Sequence, residues 1–379
     1  MRLTFCDHHI STFLARYNVQ GGKPLDLALS EYLRQHKSIG AHDRRQIGET
    51  LFGMTRWKSL LDYLCPEGTS IPKRLEIFQQ INWQKLADDA SIPEALRLGT
   101  TSFLFEKLLL AYGLEKAREL CRIALTPAPI AVRANTLKIS RSDLLEKWKE
   151  KFQVAASKNT PCGLLFSKRE ALFALPEFRE GFFEMQDEGS QLVAALVAAE
   201  SGHHVLDYCS GSGGKSLAFA PSMQGKGQIY LHDIRPEALI QAKQRLKRAG
   251  IQNAQFLSPD HKKLPQLKGK MDWVLADVPC SGTGTLRRNP EMKWKIDQPL
   301  LERLREEQRQ IFAHALTYVR PEGRIVYATC SILPEENQDQ AEFFRFHHGL
   351  IPEGEPLSIL PSEGGMDGFF AVVFKKMNS

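Results

Sequence analysis

Residues Trp273–Trp294 read WVLADVPCSGTGTLRRNPEMKW, and this stretch decides the fold. Its first five residues have the apolar character of a buried strand that ends in the carboxylate of Asp277. The turn 279–282 then breaks regular structure, because its proline fixes φ and its glycine relaxes it. In an open parallel α/β sheet, ligands bind just beyond the carboxyl ends of the strands. The stretch therefore predicts such a sheet, with Asp277 and Cys280 at its ligand-binding edge.

A regular alternation of strands and helices surrounds this stretch. The predicted strands are 204–208, 228–233, 254–258, 272–277, 323–329 and a closing strand at 368–374, and the predicted helices are 214–220, 236–249 and 299–319. Alternation at this spacing is typical of a mostly parallel, doubly wound sheet. The predicted fold class is therefore α/β, with a Rossmann-like sheet.

Two smaller regions precede the predicted sheet. Residues 1–95 carry apolar residues at helical spacing, which predicts a helical region. Residues 96–180 continue with helix and then change to a small α/β unit, whose predicted strands are 130–135, 163–166 and 171–175. We therefore expect three domains, with residues 181–379 forming the large α/β domain.

The composition is that of an ordinary globular chain, with 42% hydrophobic and 25% charged residues in 379. Its net charge of +6 is compatible with a nucleic-acid partner. The seven cysteines form no C-x-x-C pair, which favours free thiols, a reducing compartment and no zinc site. No signal peptide is apparent, and no apolar run approaches the ~18 residues of a membrane span. We expect a cytoplasmic monomer without metal or membrane association.

A glycine-rich loop follows the first predicted strand of the sheet. Its residues are Cys209, Ser210, Gly211, Ser212, Gly213, Gly214 and Lys215. Glycines at a strand-to-helix turn let a ligand lie against backbone N–H groups. A phosphate-binding loop of the form G-x-x-x-x-G-K-[ST] fails at Cys209, and a dinucleotide loop of the form G-x-G-x-x-G fails at Ser216. S-adenosylmethionine has no pyrophosphate and demands less of the loop, so it is the ligand that we expect.

Carboxylates follow three of the predicted strands. Asp233 lies about 20 residues beyond the glycine loop, where an acidic residue can bind ribose hydroxyls. Asp260 follows the next strand and could receive an adenine amino group. Together with Asp277, these residues indicate a nucleoside-containing ligand at the carboxyl edge of the sheet.

Two cysteines follow the fourth and fifth predicted strands. If those strands are neighbours, Cys280 and Cys330 share one crevice. A thiolate that adds to C6 of a pyrimidine turns C5 into a nucleophile that can attack a sulfonium methyl group. Asp277 can orient the cytosine through its exocyclic amine, and a second ionisable group can help to remove the C5 proton. Since a free thiol with a pKa of ~8.5 is mostly protonated at neutral pH, the nucleophile needs a positive neighbour, for which Lys215 is a candidate.

A basic segment follows Cys280. Residues 285–295 carry four basic residues and Trp294. Arginine and lysine contacts to phosphate, with a base stacked on an aromatic ring, suit a single-stranded or flipped nucleotide. We therefore expect this segment to contact RNA.

These motifs resemble the RNA (cytosine-5) methyltransferases of the Sun/RsmB family. The resemblance rests on DYCSGSGGKS at 207–216, ADVPCSGTGTLRRNPEMKW at 276–294 and YATCSILPEEN at 327–337, and it covers about residues 96–379. Residues 96–180 resemble the family's RNA-binding module, and the N-terminal helices resemble the NusB-like extension of the bacterial ribosomal RNA enzymes.

The resemblance also implies roles for individual residues. It implies that Cys330 is the nucleophile and that Cys280 assists release of the methylated RNA. It implies contacts to S-adenosylmethionine from residues 209–215 and from the three carboxylates Asp233, Asp260 and Asp277. The implied substrate is small-subunit ribosomal RNA.

Some positions depart from the family, and more than one function stays open. Gly211 and Ser212 stand where Ala-Pro is usual, and Ala238 stands where an arginine is usual, which puts cofactor affinity in question.

The substrate could be transfer RNA, or the two thiols could exchange roles. A P-loop nucleotide hydrolase, with Lys215 on phosphate and Asp277 on Mg²⁺, is a second class of function. A third is an RNA-binding assembly factor with an inactive methyltransferase fold.

Overall fold

A computed structural model describes residues 4–19 and 21–377. The chain forms two compact units, each of which gathers two separate segments. The first unit comprises Met1–Pro127 and Ser281–Leu301, and the second comprises Ala128–Cys280 and Glu302–Ser379. This division differs from the three predicted domains. The helices up to residue 125 belong with the N-terminal region, and the small α/β unit belongs with the large sheet.

The first unit is helical. Its helices are α1 (Phe5–Leu14), α2 (Leu25–Gln35), α3 (Ala41–Arg56), α4 (Lys58–Leu64), α5 (Ile71–Gln80), α6 (Trp83–Ala87), α7 (Glu94–Arg97), α8 (Ser102–Tyr112) and α9 (Leu114–Leu125). The apolar periodicity predicts α2 and α3 correctly, since Leu25, Ile47 and Leu51 are completely buried in one core. Residues 281–301 add two short 3-10 turns to this unit, Thr283–Thr285 and Pro290–Trp294.

The second unit begins with a small antiparallel sheet. Its elements are β1 (Ile130–Ala134), α10 (Arg141–Trp148), β2 (Val154–Ala156), β3 (Gly163–Phe166), α11 (Pro176–Arg179) and β4 (Phe183–Met185), and the strand order is β2-β3-β1-β4. Trp148 of α10 is buried against Phe166 and Phe183. The predicted strand at 171–175 is wrong, because Leu172–Ala174 is a 3-10 turn. The following Pro176 starts a helix, a position where its missing N–H costs nothing.

A seven-stranded sheet forms the rest of the second unit. Its elements are α12 (Glu188–Ala195), β5 (His204–Asp207), α13 (Gly214–Phe219), β6 (Gln228–His232), α14 (Pro236–Ala249), β7 (Ala254–Leu257), β8 (Met271–Asp277), α15 (Gln298–Leu316), β9 (Val319–Thr329), α16 (Gln338–His348), β10 (Ile351–Ile359) and β11 (Phe369–Lys375). The strand order is β10-β11-β9-β8-β5-β6-β7. The strands from β5 to β9 pair in parallel, and β10 and β11 are antiparallel. The Rossmann-like α/β class is thereby confirmed.

The strand β10 lacks a clear signal in the sequence. Most of its side chains are exposed, and it carries two prolines and a glycine, which are unfavourable inside a sheet. Such a strand is tolerated because it lies at the edge, where only one neighbour needs its backbone groups.

The aromatic core between α15, α16 and the sheet gives a testable difference. Phe312 is completely buried, and its ring stacks on Phe344 with 3.8 Å between ring centroids, whereas Phe346 is 82% exposed. We expect Phe312→Ala to lower the free energy of unfolding by about 3–5 kcal/mol, since it leaves a cavity. Phe346→Ala should change it by less than about 0.5 kcal/mol. Urea unfolding measures both, and equal midpoints for the two variants would contradict this packing.

Candidate active site

The two cysteines predicted to share a crevice lie next to each other. The parallel ladder between β8 and β9 places Asp277 opposite Ala328, so the loops after both strands leave the same edge of the sheet. The Sγ atoms of Cys280 and Cys330 are 3.3 Å apart. Both thiols are half-buried, and neither is part of a disulfide. The two thiols are therefore neighbours, as the predicted pairing of their strands requires.

Lys215 and Asp277 form an ion pair beside these thiols. Lys215 lies in the first turn of α13, and its Nζ donates to Oδ2 of Asp277 at the end of β8. Burial alone would lower the pKa of Lys215, but the charge and hydrogen bond of Asp277 outweigh it and raise that pKa, with a further contribution from Cys330. Lys215 therefore stays cationic at neutral pH, as the predicted positive setting of a thiolate requires.

Asp207 ends β5 directly before the glycine loop. Its side chain is buried, and Oδ2 accepts a hydrogen bond of 2.7 Å from Ser216 Oγ. Among the described residues, nothing hydrogen-bonds to its Oδ1 or to Ser210 Oγ. Burial raises the pKa of Asp207 to about 7, although the Ser216 hydrogen bond opposes the rise. Polar atoms without partners in a buried turn are typical of a ligand-binding loop.

The glycine loop needs glycine where it bends. Gly211 and Gly213 have φ values of +51° and +76°, a region that favours glycine. A Cβ on Gly213 would also lie 2.9 Å from Leu246 Cδ1. By contrast, a Cβ on Gly214 would meet nothing within 4 Å. The loop thus packs tightly on α14 at one glycine and leaves open room at the next.

Asp233 follows β6 and is tied to the same loop. Its Oδ2 accepts from Gly211 N at 2.8 Å, and its carboxylate accepts from both Nε and Nη2 of Arg235 at 2.9 and 3.0 Å. Burial opposes ionisation, but these hydrogen bonds outweigh it and lower the pKa of Asp233. Arg235, rather than the residue at Ala238, is therefore the basic partner of this acid.

The serine that replaces the usual proline of the loop is also held. Arg245 Nη1 donates to Ser212 Oγ at 2.6 Å and to Ser212 O at 3.0 Å. The same guanidinium pairs with Glu184, which is buried in β4. A charged hydrogen bond from Arg245 of α14 thus holds Ser212 in position. It restricts the loop here as a rigid proline would.

Asp260 lies outside this hydrogen-bonded group. It lies exposed in the turn after β7, the outermost strand on that side of the sheet. Within the described residues, the structure records no hydrogen bond or ion pair between Asp260 and the other candidate residues. Its contact to an adenine ring stays a prediction.

The expectation that residues 285–295 contact RNA is wrong for three of its residues. Arg287, Lys293 and Trp294 are all buried in the first unit, with exposures of 2%, 1% and 8%. Lys293 Nζ donates to Gly99 O at 2.7 Å. Trp294 Nε1 donates to Thr55 O at 2.8 Å. Burial lowers the pKa of Lys293 to about 7. These side chains therefore fasten the segment into the helical unit.

A buried glutamine that contacts the turn before Cys280 was not predicted from the sequence. Gln308 of α15 contacts Pro279, Tyr327, Glu336 and Gln340. One signal for it was present in the sequence, since Gln308 lies four residues from both Leu304 and Phe312, on the apolar face of the helix. A glutamine on that face requires buried hydrogen-bond partners.

Within residues 4–19 and 21–377, every helix is too short or too polar to cross a lipid bilayer. Over the same ranges, no three side chains of His, Cys, Asp or Glu are grouped so that they could hold a metal ion.

Known proteins with similar sequences identify the family of this chain. Residues 194–375 match the family model of the 16S rRNA methyltransferase RsmB/F, and residues 101–171 match the ferredoxin-like domain of RsmF/B-like methyltransferases. A probable ribosomal RNA small subunit methyltransferase B from Bacillus subtilis (strain 168) is 30% identical, over 93% of this chain and 94% of that protein. The 28S rRNA (cytosine-C(5))-methyltransferase of Mus musculus is 28% identical over 73% of this chain, which spans 39% of the mouse protein.

A solved structure shares the fold over the full length. The crystal structure of PH0851 has a TM-score of 0.80 and 22% identity, and the match covers 99% of this chain and 100% of that one.

The buried Asp207 predicts a pH-dependent stability. Because folding raises its pKa from 3.8 to about 7, its stabilising contribution is present below pH ~4 and is lost as the pH rises to 7. Asp207→Asn should therefore unfold like wild type at pH 4 but be more stable above pH 7. The gain is at most about 4 kcal/mol, since each tenfold change in proton affinity is worth about 1.4 kcal/mol. Urea unfolding at a series of pH values measures it.

Asp233 supplies a control of opposite sign. Its pKa is lowered on folding, so its contribution is present at neutral pH and is lost in acid. Asp233→Asn should accordingly be less stable than wild type at pH 8. A constant difference between Asp207→Asn and wild type from pH 4 to 8 would refute the assignment.

Proposed function

Because this chain belongs to the RsmB/F family of 16S rRNA methyltransferases, we propose that it methylates C5 of a cytosine in small-subunit ribosomal RNA through Cys330 and Cys280. The chain is an S-adenosylmethionine-dependent RNA (cytosine-5-)-methyltransferase. The observation that carries the assignment of residues is the 3.3 Å between the two sulfur atoms.

S-adenosylmethionine supplies the methyl group as an electrophilic substituent of a sulfonium ion. The turn Asp207–Lys215 fits such a ligand, since it has open room at Gly214 and polar atoms without partners on Asp207 and Ser210. Asp233 is the proposed acceptor for the ribose hydroxyls. Its present partner Arg235 has a side chain that is 66% exposed, so this hydrogen bonding can be exchanged. Asp260 is the proposed contact to adenine.

Cys330 is the proposed nucleophile. Its thiolate adds to C6 of the cytosine, and C5 gains the electron density needed to take up a methyl group. Lys215, which the Asp277 carboxylate keeps protonated, supplies positive charge beside this sulfur. Asp277 is also the proposed acceptor for the exocyclic amine of the base, which would fix the ring over Cys330.

Cys280 is the proposed residue for release. Once C5 carries the methyl group, its proton must leave and the bond between Cys330 Sγ and C6 must break. Cys280 Sγ lies within contact distance of Cys330 Sγ, which supports a role at the same ring. Reformation of the C5–C6 double bond expels the Cys330 thiolate and frees the RNA.

Substitution of each thiol separates these roles. Cys330→Ala should transfer no methyl group and form no covalent complex with RNA that contains 5-fluorocytosine. Cys280→Ala should retain methyl transfer in a single turnover but release RNA at least about 100-fold more slowly, as expected when a proton-transfer group is lost. The covalent complex should then accumulate with unmodified RNA. Labelled methyl incorporation and denaturing gels measure both steps.

Cys162→Ala serves as the matched control, because Cys162 is a half-buried thiol in the small sheet region of the same unit. It should behave like wild type. The reverse pattern, with an adduct in Cys330→Ala and none in Cys280→Ala, would make Cys280 the nucleophile. Turnover in both variants would exclude covalent catalysis by either thiol.

The RNA class is tested separately. Total RNA from cells with and without the intact gene is compared by bisulfite sequencing. Cells without the gene should lack one or more 5-methylcytosine positions in small-subunit ribosomal RNA. A loss confined to transfer RNA would overturn the substrate while leaving the chemistry in place.

A further inference from the structure

One buried side chain connects the loops that carry the two thiols. Gln308 of α15 is completely buried. Its Nε2 donates to Pro279 O at 3.1 Å and to Glu336 Oε1 at 2.9 Å. Its Oε1 accepts from Tyr327 Oη at 3.2 Å and from Gln340 Nε2 at 2.9 Å. The amide thus uses both of its donors, and its oxygen accepts fully from Gln340 and in part from the Tyr327 hydroxyl.

The orientation of this amide follows from its partners. The carbonyl of Pro279 and the carboxylate of Glu336 can only accept, so they fix the NH₂ side of Gln308. Burial and the nearby Glu336 raise the pKa of Tyr327 well above its usual value, so its hydroxyl stays protonated and donates. The two acceptors on one side and the donors on the other therefore fix which way the amide of Gln308 faces.

The loop that carries Cys330 is closed by its own hydrogen bonds. Thr329 Oγ1 donates to Asn337 Oδ1 at 2.6 Å, and Asn337 Nδ2 donates to Ser331 O at 2.9 Å. The single proton of Tyr327 Oη is directed mainly to Glu336 O, at 2.7 Å, and is shared with Gln308 Oε1, at 3.2 Å. The loop is consequently one fixed turn, and Glu336 is the point at which Gln308 holds it.

The loop that carries Cys280 has a different support. Strand pairing between β8 and β9 ends at Asp277, and the last backbone hydrogen bond of the ladder runs from Val278 N to Ala328 O. Pro279 has no N–H, so its carbonyl is its only backbone hydrogen-bonding group. That carbonyl accepts from Gln308, directly before Cys280.

We propose that Gln308 is a positioning residue, which joins the Pro279–Cys280 turn to the closed turn after Cys330 and thereby sets the separation of the two thiols. Its role in catalysis rests on the proposed function, since both thiols must act on one cytosine. Reactions that need two aligned groups are sensitive to displacements of about 1 Å.

Thiol cross-linking tests this role without RNA or cofactor. Diamide oxidises two neighbouring thiols to a disulfide and is itself reduced to the hydrazine. The Cys280–Cys330 disulfide should form about tenfold more slowly in Gln308→Met than in wild type, because intramolecular rates follow the alignment of the reacting atoms. Methionine keeps the length and volume of the side chain but makes none of the four hydrogen bonds. Peptide mass spectrometry identifies the pair that is linked.

Two variants accompany this comparison. Gln310→Met alters an exposed residue of the same helix, whose amide donates to Glu306, and it should cross-link like wild type. Gln340→Met removes a donor to Gln308 without touching either thiol loop, and it should slow cross-linking by about threefold. If Gln308→Met does not fold, Gln340→Met decides alone, and a wild-type rate in that variant overturns the proposal.

A purely structural role predicts a different result. It would lower the melting temperature of Gln308→Met and leave the cross-linking rate of the folded protein unchanged, which would overturn the proposal. A positioning role also predicts a lower kcat for RNA methylation, by about 10²-fold, at an unchanged KM for RNA. Should the thiols prove unnecessary for methylation, the proposed function would fail, whereas slower cross-linking in Gln308→Met would still establish the positioning of the turns.

Discussion

The parallel pairing of β8 with β9 is the constraint on which the site depends. Residues 273–277 lie opposite residues 324–328, so two parts of the chain about 50 positions apart end at the same edge. Since side chains alternate between the faces of a sheet, a shift of one residue would turn Asp277 to the opposite face. The ladder therefore fixes the relation between the carboxylate that holds Lys215 and the two turns that carry thiols.

Much of this arrangement can be read from the sequence because its signals are local. Apolar runs bounded by glycine and proline locate β5, β6, β7 and β8 to within one residue at each end. The convergence of Cys280 and Cys330 follows once their strands are neighbours. The strand β10 lacks such a signal, since its side chains are mostly exposed and its place is decided by an edge that β11 offers.

The features that escaped the sequence depend on partners far along the chain. Trp294 donates to the carbonyl of Thr55, 239 positions away. From the sequence alone, Arg287 and Lys293 look like surface cations, but both are buried in the structure. A count of charges cannot distinguish a solvated cation from one that donates to backbone carbonyls. Gln308 is a similar case, because its role depends on hydrogen bonds to the carbonyl of Pro279 and the carboxylate of Glu336.

Residues 281–301 fold with the N-terminal helices and not with the sheet that precedes them in the chain. The segment begins directly after Cys280, yet its lysine and tryptophan are satisfied by the carbonyls of Gly99 and Thr55. Without the N-terminal helices, these donors would lose their acceptors, directly beyond Cys280 in the chain. The hydrogen bonding of these two side chains is therefore complete when the helices are present.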